Sequence, residues 1–180
     1  MSPVQGVLFD QQIAPSDDAT AGYRGTTACN AAGITYRQLD YWARTGLVVP
    51  SVRSAAGSGS QRLYSFRDIV VLKVVKRLLD AGVSLQNIRK AIDQLRARGI
   101  EDLAQITLIS DGTTVYECRS PEEVVDLLQG GQGVFGIAIG GAFKEIQGSL
   151  AHLPAESGAE APAELTFDEL SARRARRSVG

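Results

Sequence analysis

Two short helical segments joined by a tight glycine turn are the feature that most limits how the first half of this chain can fold. The first helix is predicted to begin with a hydroxyl cap at Thr26 or Thr27 and to run through Ala32. Gly33 ends it and makes the turn. A second helix, capped by Thr35, is predicted over 35–45.

The second helix is predicted to be amphipathic and to end sharply. Leu39 and Trp42 lie three residues apart and would face a core. Gly46 stops the helix, and Pro50 prevents any continuation. Two short helices joined by a tight glycine turn are the plan of the helix-turn-helix, whose second helix enters the DNA major groove.

The rest of the first half is predicted to contain one flexible stretch, one short strand and two more helices. Residues 54–60 consist entirely of glycine, serine and alanine and cannot build a core. The strand is Leu63–Tyr64. Ser65 and Asp68 approximate a capping box for a helix that continues to Gly82, and Ser84 caps a further helix that reaches Gly99.

The second half changes character to a small α+β unit. Strand-like runs at 106–109 and 113–116 flank Ser110-Asp111-Gly112, a hairpin signal. A cap, a proline and two glutamates at 120–123 open a helix, and a strand over 134–139 and a last helix through Leu150 follow. The expected order is therefore ββαβα.

Charge is distributed unevenly, although the net charge is only -1. Residues 23–99 hold 13 Arg and Lys against 4 Asp and Glu, whereas residues 100–150 hold 2 against 8. A basic segment beside acidic ones is typical of a polyanion-binding surface. A solvated basic face without a partner stays an alternative on charge alone.

Several other classes of protein are disfavoured. Two distant cysteines, Cys29 and Cys118, and one histidine, His152, predict neither a metal site nor a disulfide framework. The G-x-G-x-x-G run over 131–136 follows a helix instead of a strand, so a turn is expected there and no cofactor is assigned. Without a catalytic constellation, a membrane span or a signal pattern, we expect a non-enzymatic, cytoplasmic and nucleoid-associated protein.

Residues 23–95 resemble the MerR family of bacterial regulators. The resemblance is carried by the run from Ala28 to Pro50, by Gln61-Arg62-Leu63-Tyr64-Ser65, and by the run from Gly82 to Ile88. It implies a winged helix-turn-helix that binds an inverted-repeat promoter site as a homodimer and regulates transcription. Double-stranded DNA is the implied partner, with RNA polymerase as a candidate further partner.

The resemblance also implies which residues contact DNA. Thr35 and the free amides beside it suit a phosphate, and Tyr36 and Arg37 are candidates for base edges. The complete predicted set is Thr35, Tyr36, Arg37, Tyr41, Arg44, Arg53, Arg62 and Tyr64. Arg62 corresponds to the arginine of the wing. Core packing stays an alternative for the two tyrosines of the second helix, and a solvated loop charge for the two wing arginines.

The sequence departs from the family pattern in two places. Asp40 stands where the family commonly has Arg, and we expect it to orient Arg37 or Arg44 on the same helix face. The helix after Ser84 is short where many members have one long dimerising helix, so the second unit is expected to dimerise, to sense an effector, or both.

The sequence-based architecture is a mainly α winged helix-turn-helix domain followed by a small α+β domain, with disordered termini. The boundaries are a disordered arm over 1–22, the DNA-binding domain over 23–99, the α+β domain over 100–153, and a linker and basic tail over 154–180. Two alternatives stay open. One is an architectural or excisionase-like DNA-bending protein, and the other is an adaptor whose second unit binds a protein.

Overall fold

The computed structural model describes residues 21–55, 61–130 and 135–158. Most of the predicted arm, of the flexible stretch and of the basic tail, and the start of the G-x-G-x-x-G run, lie outside the described residues. The elements are, in chain order, β1 (Ala21–Arg24), α1 (Gly25–Ala32), α2 (Tyr36–Arg44), β2 (Leu63–Tyr64), α3 (Phe66–Asp80), α4 (Leu85–Arg96), α5 (Ile100–Ala104), β3 (Thr107–Ser110), β4 (Val115–Cys118), α6 (Pro121–Gln129), β5 (Phe135–Ala138), α7 (Ile139–Leu150) and β6 (Glu156–Ser157).

The two short helices are confirmed, but the cap of the first was predicted wrongly. α1 begins directly after β1, and its N-cap is Arg24, whose side chain makes no capping hydrogen bond. Gly33 ends α1 in the left-handed conformation, at φ 72°. α2 has a full capping box. The Thr35 hydroxyl accepts from the amide of Gln38 at 3.2 Å, and the Gln38 side chain accepts from the amide of Thr35 at 3.0 Å.

α3 and α4 are confirmed, together with their predicted caps at Ser65 and Ser84. Asp68 does more than complete the capping box of α3. Its buried carboxylate also accepts from the amide and hydroxyl of Ser51, at 2.8 and 2.7 Å. The segment that follows α2 is therefore fastened to the start of α3, which fixes the position of α2 in the fold.

The C-terminal region contains a small three-stranded sheet in the order β4-β3-β5, with all pairs antiparallel. The second strand begins at Val115 and not at the predicted position 113. Asp111 explains the shift, because its carboxylate accepts from the amides of Thr113 and Thr114, at 2.8 and 2.6 Å. These bonds hold 111–114 in a turn instead of a strand.

A second small sheet was not predicted. β1 pairs with β2 on one side and with β6 on the other. The first two residues of β1, Ala21 and Gly22, come from the segment expected to be a disordered arm. β6 comes from the segment expected to be a linker. Gly22 permits the close approach, since a Cβ there would lie 2.8 Å from the Cβ of Leu63.

One hydrophobic cluster extends from α1 to α7. It includes Leu39 and Trp42, which are 1% and 2% exposed as predicted, and also Ile137 and Ile146 of the C-terminal region. α7 packs on α3 and on α1, so the helix-turn-helix and the C-terminal region share one core. None of the helices in the described ranges is long and apolar enough to cross a membrane.

Candidate nucleic-acid interface

α2 presents a face of polar and aromatic side chains opposite its buried side. Tyr36 is 61% exposed and Tyr41 is 47% exposed. Thr35, Arg37 and Arg44 are exposed beside them. We call these five residues the α2 face. Exposed aromatic side chains grouped with arginines are typical of a surface that binds a partner, because such side chains can stack on or hydrogen-bond to a ligand.

The N-terminal end of α2 offers hydrogen-bond donors to an anion. The capping box satisfies the amides of Thr35 and Gln38. The amides of Tyr36 and Arg37, at the first two helical positions, have no acceptor within the described part of the chain. The positive end of the helix dipole lies at the same place. This combination suits a phosphate.

A groove of about 450 Å³ runs beside the α2 face. The start of α1 forms one wall, with Gly25 and Thr26, and the segment around Gln61 and Arg62 forms another. Arg24 also lines the groove, and its guanidinium pairs with the carboxylate of Glu156 in β6. The predicted site included neither Arg24 nor Gln61. Arg24 was missed because β1 is only four residues long and its partner strand β6 lies 132 residues further on.

Asp40 bridges the α2 face to the segment that precedes β2. One carboxylate oxygen lies 2.8 Å from Arg44 and the other lies 2.8 Å from Arg62. The hydrogen bond from Arg62 is the main reason that the pKa of Asp40 lies below its ordinary value, and it also raises the pKa of Arg62. The expectation that Asp40 orients a cation is therefore confirmed for Arg44 and not for Arg37. The bridge to Arg62 was not predicted.

Arg53 begins a short antiparallel pairing that positions Arg62. The backbone groups of Arg53 and Leu63 exchange two hydrogen bonds, of 2.8 and 3.2 Å. The guanidinium of Arg53 donates to the carbonyl of Gln61 at 2.9 Å. Both predicted arginines of this segment thus lie beside this backbone pairing, although each makes a contact within the protein.

Tyr64 does not belong to the exposed set. Its side chain is 0% exposed and packs in the core, so the prediction that it contacts DNA is wrong. Burial raises the pKa of Tyr64 to about 12. Its hydroxyl has no hydrogen-bond partner among the described residues. Strand alternation does not explain this burial, because Leu63 beside it is equally buried.

Much of the positive charge counted in the sequence is used inside the fold. Arg67 donates to the carbonyls that end α4, at 3.0 and 2.6 Å. Arg96 donates to the carbonyl of Leu47 at 2.7 Å, and Arg89 donates to that of Thr45 at 2.9 Å. Lys73 pairs with Glu145 of α7 at 2.9 Å, and Arg77 pairs with the same carboxylate. Within the described ranges, Arg37 has no ion pair or hydrogen bond to its side chain, which leaves it available.

The two cysteines are not exposed nucleophiles. Cys29 and Cys118 are both buried. Burial is the main cause of the raised pKa of each thiol. No cluster of three metal-binding side chains occurs in the ranges that the structure describes.

Comparison with known proteins identifies related sequences. A family profile described as "MerR HTH family regulatory protein" matches residues 23–95. An uncharacterised HTH-type transcriptional regulator of Mycobacterium tuberculosis is 66% identical over 177 residues, which are 97% of this chain and 77% of that protein. The HTH-type transcriptional repressor CarH of Myxococcus xanthus is 37% identical over 73 residues, or 41% of this chain and 23% of that repressor. The regulator HmrR of Sinorhizobium medicae is 29% identical over 83 residues, covering 45% of this chain and 54% of HmrR.

Proposed function

This chain belongs to the MerR family of DNA-binding transcriptional regulators, and we propose that it binds an inverted-repeat promoter site as a homodimer through the α2 face. The observation that carries the proposal is the α2 face itself. Tyr36 and Arg37 project from the N-terminal end of α2, which suits an anion, and the opposite side of α2 packs in the core. A rigidly held helix of this kind can enter a major groove without reorganising.

Arg37 is the proposed base reader. Its guanidinium can donate two parallel hydrogen bonds to O6 and N7 of a guanine, a geometry that separates guanine from the other bases. Tyr36, Tyr41 and the amide end of α2 fix the depth of the helix by contacting the backbone and the base edges nearby. Arg44 extends the cationic side of α2, while Asp40 holds it in place.

The segment from Arg53 to Leu63 is the proposed wing. Its two ends are held together by backbone hydrogen bonds, and Arg62 is fastened to α2 through Asp40. The bridge supports a concerted fit, because the wing arginine and the reading helix approach DNA as one unit. We assign Arg53 and Arg62 to phosphates or to the flanking minor groove.

The C-terminal region over 100–153 is the proposed dimerisation or effector module. α7 packs on α3 and α1, and Glu145 of α7 pairs with Lys73 and Arg77 of α3. A change in this module could therefore reach the DNA-binding helices. RNA polymerase is the proposed further partner at the promoter, in keeping with a regulator that alters transcription.

Footprinting on DNA fragments selected by the protein itself tests the proposal. We expect two protected half-sites related by a twofold axis, in successive major grooves on one side of the duplex. Arg62→Ala should weaken binding to every sequence, because a phosphate contact carries no base information. Protection of a single, asymmetric site would contradict the inverted-repeat homodimer. Protection confined to recombination sites would favour a DNA-bending role instead.

A further inference from the structure

We propose that the free edge of β5 pairs with β5 of a second copy of this chain and that this pairing forms the core of the dimer. The inference rests on the homodimer of the proposed function and names the surface that makes it. β5 is the outermost strand of the sheet β4-β3-β5. Within the described ranges, no strand pairs with its outer side.

The hydrogen-bond register shows which backbone groups point outward. The amide of Ile139 donates to the carbonyl of Ile106 at 2.9 Å, and the register continues with Thr107 opposite Ala138 and Leu108 opposite Ile137. Hydrogen-bonded and non-hydrogen-bonded pairs alternate along an antiparallel ladder. Ile137 therefore bonds to β3, whereas the amides and carbonyls of Gly136 and Ala138 point away from it. Both of these residues are exposed.

The outward groups of β5 are complementary to themselves. When two β5 strands run antiparallel about a twofold axis through Ile137, Gly136 of one copy lies opposite Ala138 of the other. These two residues carry the outward donors and acceptors, so the pairing forms four inter-chain hydrogen bonds. The two copies of Ile137 meet as the central, non-hydrogen-bonded pair, which matches the alternation on both sides of each strand.

β5 also lacks the features that normally protect an edge strand. Its sequence, Phe-Gly-Ile-Ala, contains neither a charge nor a proline. β4 at the other edge of the sheet carries Glu117, which is bound by Arg98 at 2.6 Å and Arg119 at 3.1 Å. Charges of this kind discourage strand addition. The contrast between the two edges indicates that β5 is the edge left open for a partner strand.

A groove follows the open edge. Its volume is about 600 Å³, and all four residues of β5 line it, opposite the end of α3. Arg77 and Asp80 stand at its rim, one of each charge. Each is already paired within the chain, Arg77 with Glu145 and Asp80 with Lys76, so two copies do not bring unpaired rim charges of one sign together. Phe135, which is 37% exposed, would lose its contact with water in the pairing.

Ala138→Pro tests the edge with little risk to the fold. Ala138 has φ -75°, close to the value that proline imposes, and its amide does not bond to β3. The variant removes two of the four inter-chain donors and leaves the ladder with β3 intact. Ala138→Ser is the matched control, because serine keeps the amide. Sedimentation equilibrium of the full chain over a concentration series measures the dimer dissociation constant of each.

We expect Ala138→Pro to raise the dissociation constant about tenfold or more, since two hydrogen bonds are lost per dimer, and Ala138→Ser to leave it unchanged. A dimer of wild-type strength in Ala138→Pro would overturn the β5 surface and leave the homodimer standing. A wild-type chain that stays monomeric, free and on DNA, would overturn the homodimer itself. If thermal melting shows that Ala138→Pro is destabilised, Phe135→Lys decides, with a similar weakening expected and an unchanged dissociation constant contrary to the proposal.

Discussion

Replacing Arg37 with alanine separates base reading from general attraction to DNA. Arg37 is exposed, and its side chain makes no ion pair or hydrogen bond within the described part of the chain. Surface substitutions of this kind change stability by less than about 0.5 kcal/mol. A lost bidentate contact to guanine costs about 1–3 kcal/mol per half-site. A dimer loses two such contacts, so affinity for the operator should fall by a factor of at least about 30.

Fluorescence anisotropy with a labelled operator and with a random duplex measures this effect. Arg37→Ala should lose much more affinity for the operator than for the random duplex, and the preference at one base position should relax. Arg62→Ala should weaken both duplexes alike. Lys144→Ala is the control, because it removes the same charge from an exposed position on α7, outside the α2 face. Equal losses of Arg37→Ala on operator and random DNA would refute the base-reading role.

Three further predictions concern residues around the α2 face. Tyr64→Phe should stabilise the protein by about 1 kcal/mol, since it removes a buried hydroxyl without a partner among the described residues. Because the pKa of Tyr64 in the folded state, about 12, exceeds the ordinary value of 10, the stability of the wild type should fall as the pH rises from about 10 to about 12. Urea unfolding across this pH range should show no such fall in the variant. Asp40→Asn should free Arg62 and weaken operator binding. Because the pKa of Asp40 is lowered in the folded state, its carboxylate stabilises the wild type at pH values above the ordinary pKa of 3.8, and this stabilisation is lost on acidification. The variant should therefore lose less stability than the wild type in acid, and identical acid melting curves would argue against the bridge. Thr35→Ala should lower the unfolding free energy by about 1 kcal/mol, because the capping box is lost. An unchanged free energy in urea unfolding would show that the capping box does not stabilise α2.

The helices could be predicted because their signals are local. Gly33, Thr35, Ser65 and Ser84 each act within one turn of the chain, and each occupies the predicted cap or turn position in the structure. The hydrophobic period placed Leu39 and Trp42 correctly in the core. The exposed position of Arg37 followed from the same period.

The parts that failed depend on contacts between distant segments. β1 and β6 are short, and the partners of β1 come from positions 63–64 and 156–157, far away in the chain, so nothing in their own sequence indicates a strand. Tyr64 lies in a two-residue strand that is buried on both sides, which no alternation can reveal. The second partner of Asp40, Arg62, is 22 residues away in the chain, beyond the reach of helical spacing arguments.

Hydrogen exchange of the full chain with and without an operator duplex tests the central claim most directly. We expect the amides of Tyr36 and Arg37, together with the segment around Arg62, to exchange more slowly on DNA, while the exposed end of α6 stays unchanged. We also expect the binding constant to fall steeply with salt, with a log–log slope of about -0.9 for each phosphate neutralised. DNA binding that leaves the exchange of α2 unaltered, or no binding to any duplex at low ionic strength, would contradict the assignment of the α2 face.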